Sequence, residues 1–264
     1  SLLAFTLFQD KYQLLWFLSH INTLLGFFMY SAWVFNPEKH FLSVIPWYKL
    51  TNYSCILTYT IVIYKRYLCE ETFEQNEAGG RILISYILKT ENVQLIISAF
   101  LWTVTNESFF KLVPFAIYSI LNISCFLVFE AYPQSHFSVA LAPFISYIKN
   151  PCLIFSAFVD IFIIGLLLNE SYHNNSYYVF FLYTFVWGLK MDNSEASRIA
   201  VYKIMKVIDL GFNHKFVPYK ITHYWVCFKQ RIFRLLSISM KENLSVEGEF
   251  FSDDEEGKVE QKVL

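Results

Sequence analysis

The chain has 264 residues, 55% of them apolar, 20% aromatic and only 16% charged, with a formal net charge of −1. Soluble domains carry roughly 25% charged residues, and a soluble fold of this length could not hide 28 Phe, 18 Tyr and 6 Trp without large apolar patches in water. Disorder is excluded for most of the chain by the same aromatic content, which leaves an all-α, polytopic helical membrane protein.

The first element is the strongest. Between Lys11 and Glu38 lie 26 uncharged residues, and Tyr12–Phe35 as a helix of about 36 Å exceeds a hydrocarbon core of ~30 Å. Asn36-Pro37 ends it. The second apolar stretch, Phe41–Tyr64, is interrupted by Pro46 and Lys49 and reads as a short tilted span or an interfacial helix. A polar loop with Glu70, Glu71, Glu74, Glu77 and Gly79-Gly80 follows.

Asn92–Asn106 and Leu112–Phe129 flank the polar turn Asn106-Glu107-Ser108. Helices of about 22 and 27 Å joined so tightly are expected to run antiparallel, short enough to form a wedge in one leaflet. After Tyr132-Pro133, Phe137–Ile148 reads as an interfacial helix that ends at Lys149-Asn150-Pro151. Cys152–Leu168 and Tyr172–Leu189 form a second hairpin around Asn169-Glu170-Ser171. Asn106, Asn169 and Asn174 each head a glycosylation sequon.

The near-zero net charge conceals three regions. Residues 1–189, a membrane domain of about four to six apolar helices, balance at −2; residues 190–241, basic and amphipathic, at +7; residues 242–264, an acidic disordered tail, at −6. The tail run Ser252-Asp253-Asp254-Glu255-Glu256 has an acidic-directed phosphorylation pattern. On a six-helix count Lys11, Lys65, Arg66, Arg81, Lys89, Lys149 and the basic segment share one face, against Lys39, Lys49 and Lys111 on the other. The positive-inside rule makes the first face, with both termini, cytoplasmic. Trp16, Trp33, Trp47, Trp102 and Trp187 fall near the proposed boundaries, where an amphipathic ring is at home.

Within the basic segment, Asp192–Asn213 is an amphipathic helix with Asp192 or Asn193 as N-cap, expected to pack on the helix that follows. Lys220–Lys241 sets Trp225, Val226, Phe228, Ile232, Phe233, Leu235 and Leu236 over half of a helical wheel, opposite Cys227, Gln230, Arg231 and Arg234. Lys229 sits inside the apolar arc, where its stem can snorkel. An arc of Trp, Phe and Leu opposed by Arg is what a membrane-surface helix needs; the competing reading is an ordinary amphipathic helix packed on its own domain.

Asp160 is an intramembrane carboxyl in an otherwise apolar helix. Such groups mark ion or proton sites, which keeps a transporter or channel as the alternative function. The plainer reading is a carboxyl that is protonated or hydrogen-bonded to a neighbouring Tyr, Ser or Asn. No HExxH, GxSxG, P-loop or GxGxxG pattern occurs, and the five cysteines have no ligand spacing. The chain is therefore expected to be non-enzymatic, with no cofactor, no metal and no nucleic-acid partner; its primary partner is the lipid bilayer.

Two stretches carry a family resemblance: Thr90-Glu91-Asn92-Val93-Gln94 through Leu101-Trp102-Thr103 to Leu112–Ser119, and Ala196–Tyr202 through Pro218 to Trp225–Leu236. They resemble the transmembrane protein 33 family, over most of residues 12–240. The resemblance implies residence in the endoplasmic reticulum and nuclear envelope and cooperation with reticulon-type membrane-bending proteins. Fungal members add a role with nucleoporins in nuclear pore complex assembly or distribution. Trp225, Phe228, Ile232, Phe233, Leu235 and Leu236 match the membrane-facing side of the family's C-terminal helix. Arg231 and Arg234 match its basic side, where an importin is implied to bind in some members, and Lys229 joins them as a candidate lipid- or importin-binding cation. No catalytic residue is implied.

Overall fold

The computed structural model describes residues 11–36, 45–66, 87–88, 90–174, 177–212 and 218–235. The acidic tail, the Glu70–Gly80 loop and Leu236 lie outside them. The chain divides into two compact units, Ser1–Ala196 and Ser197–Leu264.

Among the described residues of the first unit the principal helices are α1 (Lys11–Phe35), α2 (Trp47–Tyr64), α3 (Glu91–Val104), α4 (Phe109–Cys125), α5 (His136–Asn174) and α6 (Tyr178–Asn193). A π-helical turn, Phe126–Ala131, continues α4. No strand occurs among the described residues. The protein is an all-α, multi-pass membrane protein. Three described stretches are long and apolar enough to cross a bilayer: Lys11–Phe35, Phe109–Ala131 and His136–His173.

The six helices close a ring. α1 packs on α2, α2 on α3, α3 on α6, α6 on α5, α5 on α4, and α4 returns to α1. The antiparallel pair expected of α3 and α4 is therefore looser than its short turn implies. α3 lies chiefly against α2 and α6, α4 against α1 and α5, and the two meet through long side chains. Close approach of α1 to α2 depends on Gly26, where a Cβ would sit 2.4 Å from Thr51 Oγ1.

Four expectations are corrected. The second apolar helix starts at Trp47, with Pro46 as its N-cap residue, and at a helix start the missing proline N–H leaves no intrahelical hydrogen bond unmade. Lys149-Asn150-Pro151 does not end a helix: α5 runs 39 residues through Pro143 and Pro151, as membrane helices tolerate where neighbours satisfy the freed carbonyls. Asn169-Glu170-Ser171 is not a turn; α5 continues to Asn174, with Ser171 buried and Glu170 bound to Lys111. Neither Asp192 nor Asn193 caps the next helix, since α6 extends to Asn193 and only Ser194 separates it from α7 (Glu195–Phe212).

The described residues of the second unit are the remainder of α7, Pro218 and α8 (Tyr219–Leu235). Within it α7 and α8 meet through Trp225, which stacks on Phe212 with ring centroids 4.9 Å apart. Tyr202 and Phe233 form a second ring contact, and Thr222 Oγ1 donates to the Phe212 carbonyl.

Candidate functional site

Buried charge is the first feature the ring creates. Asp160 on α5 accepts from Lys190 Nζ at 2.7 Å and from the Tyr183 hydroxyl at 3.1 Å, both on α6. Lys190 also lies over the Tyr118 ring of α4, 5.3 Å from its centroid. The Tyr118 hydroxyl donates to Glu91 at the start of α3. Four helices thus meet through one polar layer. Near the opposite end, Lys111 of α4 is fully buried and donates to Glu170 of α5 at 2.9 Å and to the Asn106 carbonyl at 2.8 Å. Its ammonium sits 5.4 Å from the Trp102 ring centroid.

These pairs change the sequence reading. Asp160 is held by a hydrogen-bonded Tyr, as the plainer reading expected, and additionally by Lys190, which the charge count had placed among the cytoplasmic basic residues. Removing two ions from water costs several kcal/mol each, and only close, fully hydrogen-bonded partners offset that. Lys111 is likewise an internal charge and not a marker of the sparse face. His20 of α1 is buried and bonds Ser119 of α4. Trp102 is buried in the core, two residues before the end of α3. It packs against Tyr183, and Trp187 lines an interior cleft with Gln94, Ser98 and Asp160. The carboxylate of Asp160 already has its cation, so the geometry favours a packing role over transport.

The second feature is the α7–α8 pair. Asp209 accepts from Trp225 Nε1 at 2.7 Å and from Lys229 Nζ at 2.6 Å. Partial burial would raise the Asp209 carboxyl, but the hydrogen bonds from Lys229 and Trp225 outweigh it and hold the pKa below the ordinary value. Trp225, Phe233 and Lys229 are therefore occupied inside the second unit. Ile232 is half-buried, while Phe228, Arg231 and Arg234 are exposed. The side chain of Leu235 lies outside the described residues.

What the wheel missed is the rotation of α8. Because Trp225, Lys229, Thr222 and Phe233 engage α7, the outward stripe becomes Ile221, Tyr224 and Phe228, spaced i, i+3, i+7. Lys220 and Arg231 border it. On α7, Val207 and Leu210 are also exposed. Asp209 and Tyr202 make the helix–helix contacts. Their ability to reach Trp225, Lys229 and Phe233 is a property of the pair, invisible in either helix alone.

Comparison with known proteins yields two relatives. The chain is 23% identical over 258 residues to the uncharacterized membrane protein YGR026W of Saccharomyces cerevisiae, covering 88% of each chain. It is also 23% identical over 234 residues to Tetra-spanning protein 1 of Schizosaccharomyces pombe, covering 82% of this chain and 81% of the relative. No family model and no solved structure matches.

Proposed function

We propose that this is a non-enzymatic protein of the endoplasmic reticulum and nuclear envelope that organises or shapes the membrane and supports nuclear pore complex assembly or distribution. In this reading both termini are cytoplasmic and α8 binds the membrane surface. The observation that carries it is the outward stripe Ile221, Tyr224 and Phe228 bordered by Lys220 and Arg231. Apolar rings enter the acyl boundary while cations meet anionic headgroups. The two membrane-protein relatives, one of them named tetra-spanning, support the membrane role, and the resemblance to the transmembrane protein 33 family supports the compartment. Reticulon-type proteins, nucleoporins and an importin are partners on that resemblance, with Arg231 and Arg234 exposed for an acidic surface.

The test is reconstitution of the full chain into vesicles containing anionic lipid, with diameter read by electron microscopy. The wild-type chain should narrow or tubulate vesicles relative to protein-free ones. Tyr224→Asp with Phe228→Asp should restore most of the original diameter while leaving insertion intact. Unchanged diameters with wild-type protein reject the shaping role.

A further inference from the structure

The length of α5 conflicts with the way the ring is levelled. At 39 residues it would be about 58 Å long if straight, nearly twice a hydrocarbon core of ~30 Å. The Lys111–Glu170 pair, 2.9 Å between charged atoms, fixes α4 and α5 at one level. From Lys111 to Ala131, and from Glu170 back to Asn150, each helix climbs about 30 Å at 1.5 Å per residue. Asn150 thus lies at the level where α4 and its π turn end, and His136–Lys149 remain to be placed.

They cannot continue along the bundle axis. His136 would then stand about 21 Å above that level and, at a usual helix spacing of 8–10 Å, about 23 Å from Ala131. The connection is only Tyr132–Ser135, and it is folded on itself. Ser135 N–H donates to the Tyr132 carbonyl at 3.1 Å, and Tyr132 N–H reaches back to Leu127. A turn of this kind keeps its end Cα atoms within about 7 Å, so Ala131 and His136 are at most roughly 15 Å apart. The first part of α5 must therefore turn across the end of α4. α5 packs on the π segment, and within its first part Ser138 and Ile145 are buried. Pro143 and Pro151 lie inside the helix and supply the bend, since each removes a hydrogen bond and crowds the preceding turn.

Away from that buried stripe, Phe137 is 70% exposed, Val139 65%, Phe144 56% and Tyr147 71%. No charge occurs between Glu130 and Lys149. Water is a poor environment for such a surface, and it is continuous with the membrane-spanning half of the same helix. We propose that residues 136–150 lie in the plane of the bilayer, at the level where α4 ends, with Phe137, Val139, Phe144 and Tyr147 taking the acyl chains of one leaflet as their partner. Lys149 marks the bend and extends its ammonium to the headgroups. This surface belongs to the first unit and is independent of the role proposed for α8.

The experiment places an environment-sensitive fluorescent amino acid at 137, 144 or 147, one position at a time, in the full chain reconstituted in vesicles. Depth is read from quenching by lipids carrying a nitroxide at shallow or deep acyl positions. A fourth label at 162, in the half of α5 between Asn150 and Glu170, reports insertion. The expected result is strong shallow quenching at all three arm positions, their depths agreeing within a few ångströms, and deep quenching at 162. A progressive change of about 15 Å from 137 to 147 would overturn the proposal in favour of an axial span. Absence of quenching at the arm positions, or at 162, would overturn it as well.

Discussion

The two units hold their charges by different physics. In the first, Lys111, Asp160 and Lys190 are withdrawn from water and tie one helix to another. In the second, the Lys229–Asp209 pair is partly open, with side chains 17% and 27% exposed, and works beside the stacked Trp225 and Phe212. A buried ion without its partner has nowhere to recover its solvation, whereas an exposed one returns to water. The same pair of residue types is thus a fragile lock in one unit and a minor contact in the other.

That contrast is broken most directly at Asp160. Asp160→Leu leaves the Lys190 ammonium buried without its carboxylate, and should lower stability by about 3–5 kcal/mol. Thermal unfolding of detergent-solubilised protein measures this. Adding Lys190→Met should recover much of the loss, since a matched apolar pair removes the orphaned charge. If the single and double variants unfold alike, the pair is not the lock described here.

A smaller loss tests whether the first unit depends on close backbone approach as well as charge. Gly26→Leu drives a side chain into Thr51, where even a Cβ has 2.4 Å, and should cost about 1–3 kcal/mol through overpacking. Gly165→Leu, where a Cβ meets nothing within 4 Å, serves as the control in the same melt.

The smallest effect belongs to the second unit. Lys229→Met should cost only about 0.2–1 kcal/mol, read as a shift in hydrogen exchange confined to α7 and α8. Acid should mimic it. Asp209 has a lowered pKa in the folded chain, so its contribution is complete above the unfolded carboxylate value of about 3.9. It is lost as pH falls through the lower folded value. The protection of α8, corrected for the intrinsic pH dependence of amide exchange, should be steady from neutrality down to that range and fall below it; in Asp209→Asn the acid step should disappear.

Much of the fold was legible because helices in a membrane announce themselves locally. The uncharged run after Lys11 and the stop at Asn36 placed α1, and the turn around Asn106-Glu107-Ser108 separated α3 from α4. The helix ends that were misread have a common cause. Pro151 and Asn169-Glu170-Ser171 are breaking signals in a chain read alone, yet Lys111 holds Glu170 in a helical turn and the ring supports α5 through its prolines. At the candidate site, an amphipathic, basic C-terminal helix could be read from spacing. Its outward face could not, because the choice between Trp225 and Tyr224 is made by Asp209 and Phe212 on another helix.

The sequence by itself determined a helical, multi-pass membrane protein with a basic amphipathic segment, since hydrophobic run length and charge distribution act on each segment independently. Tertiary structure alone decided that Asp160 meets Lys190, that Lys111 levels α4 against α5, and which stripe of α8 faces outward. Each of those depends on a partner far away in the chain. No local pattern encodes a distance between helices, and in a low-dielectric interior that distance decides whether a charge is stable.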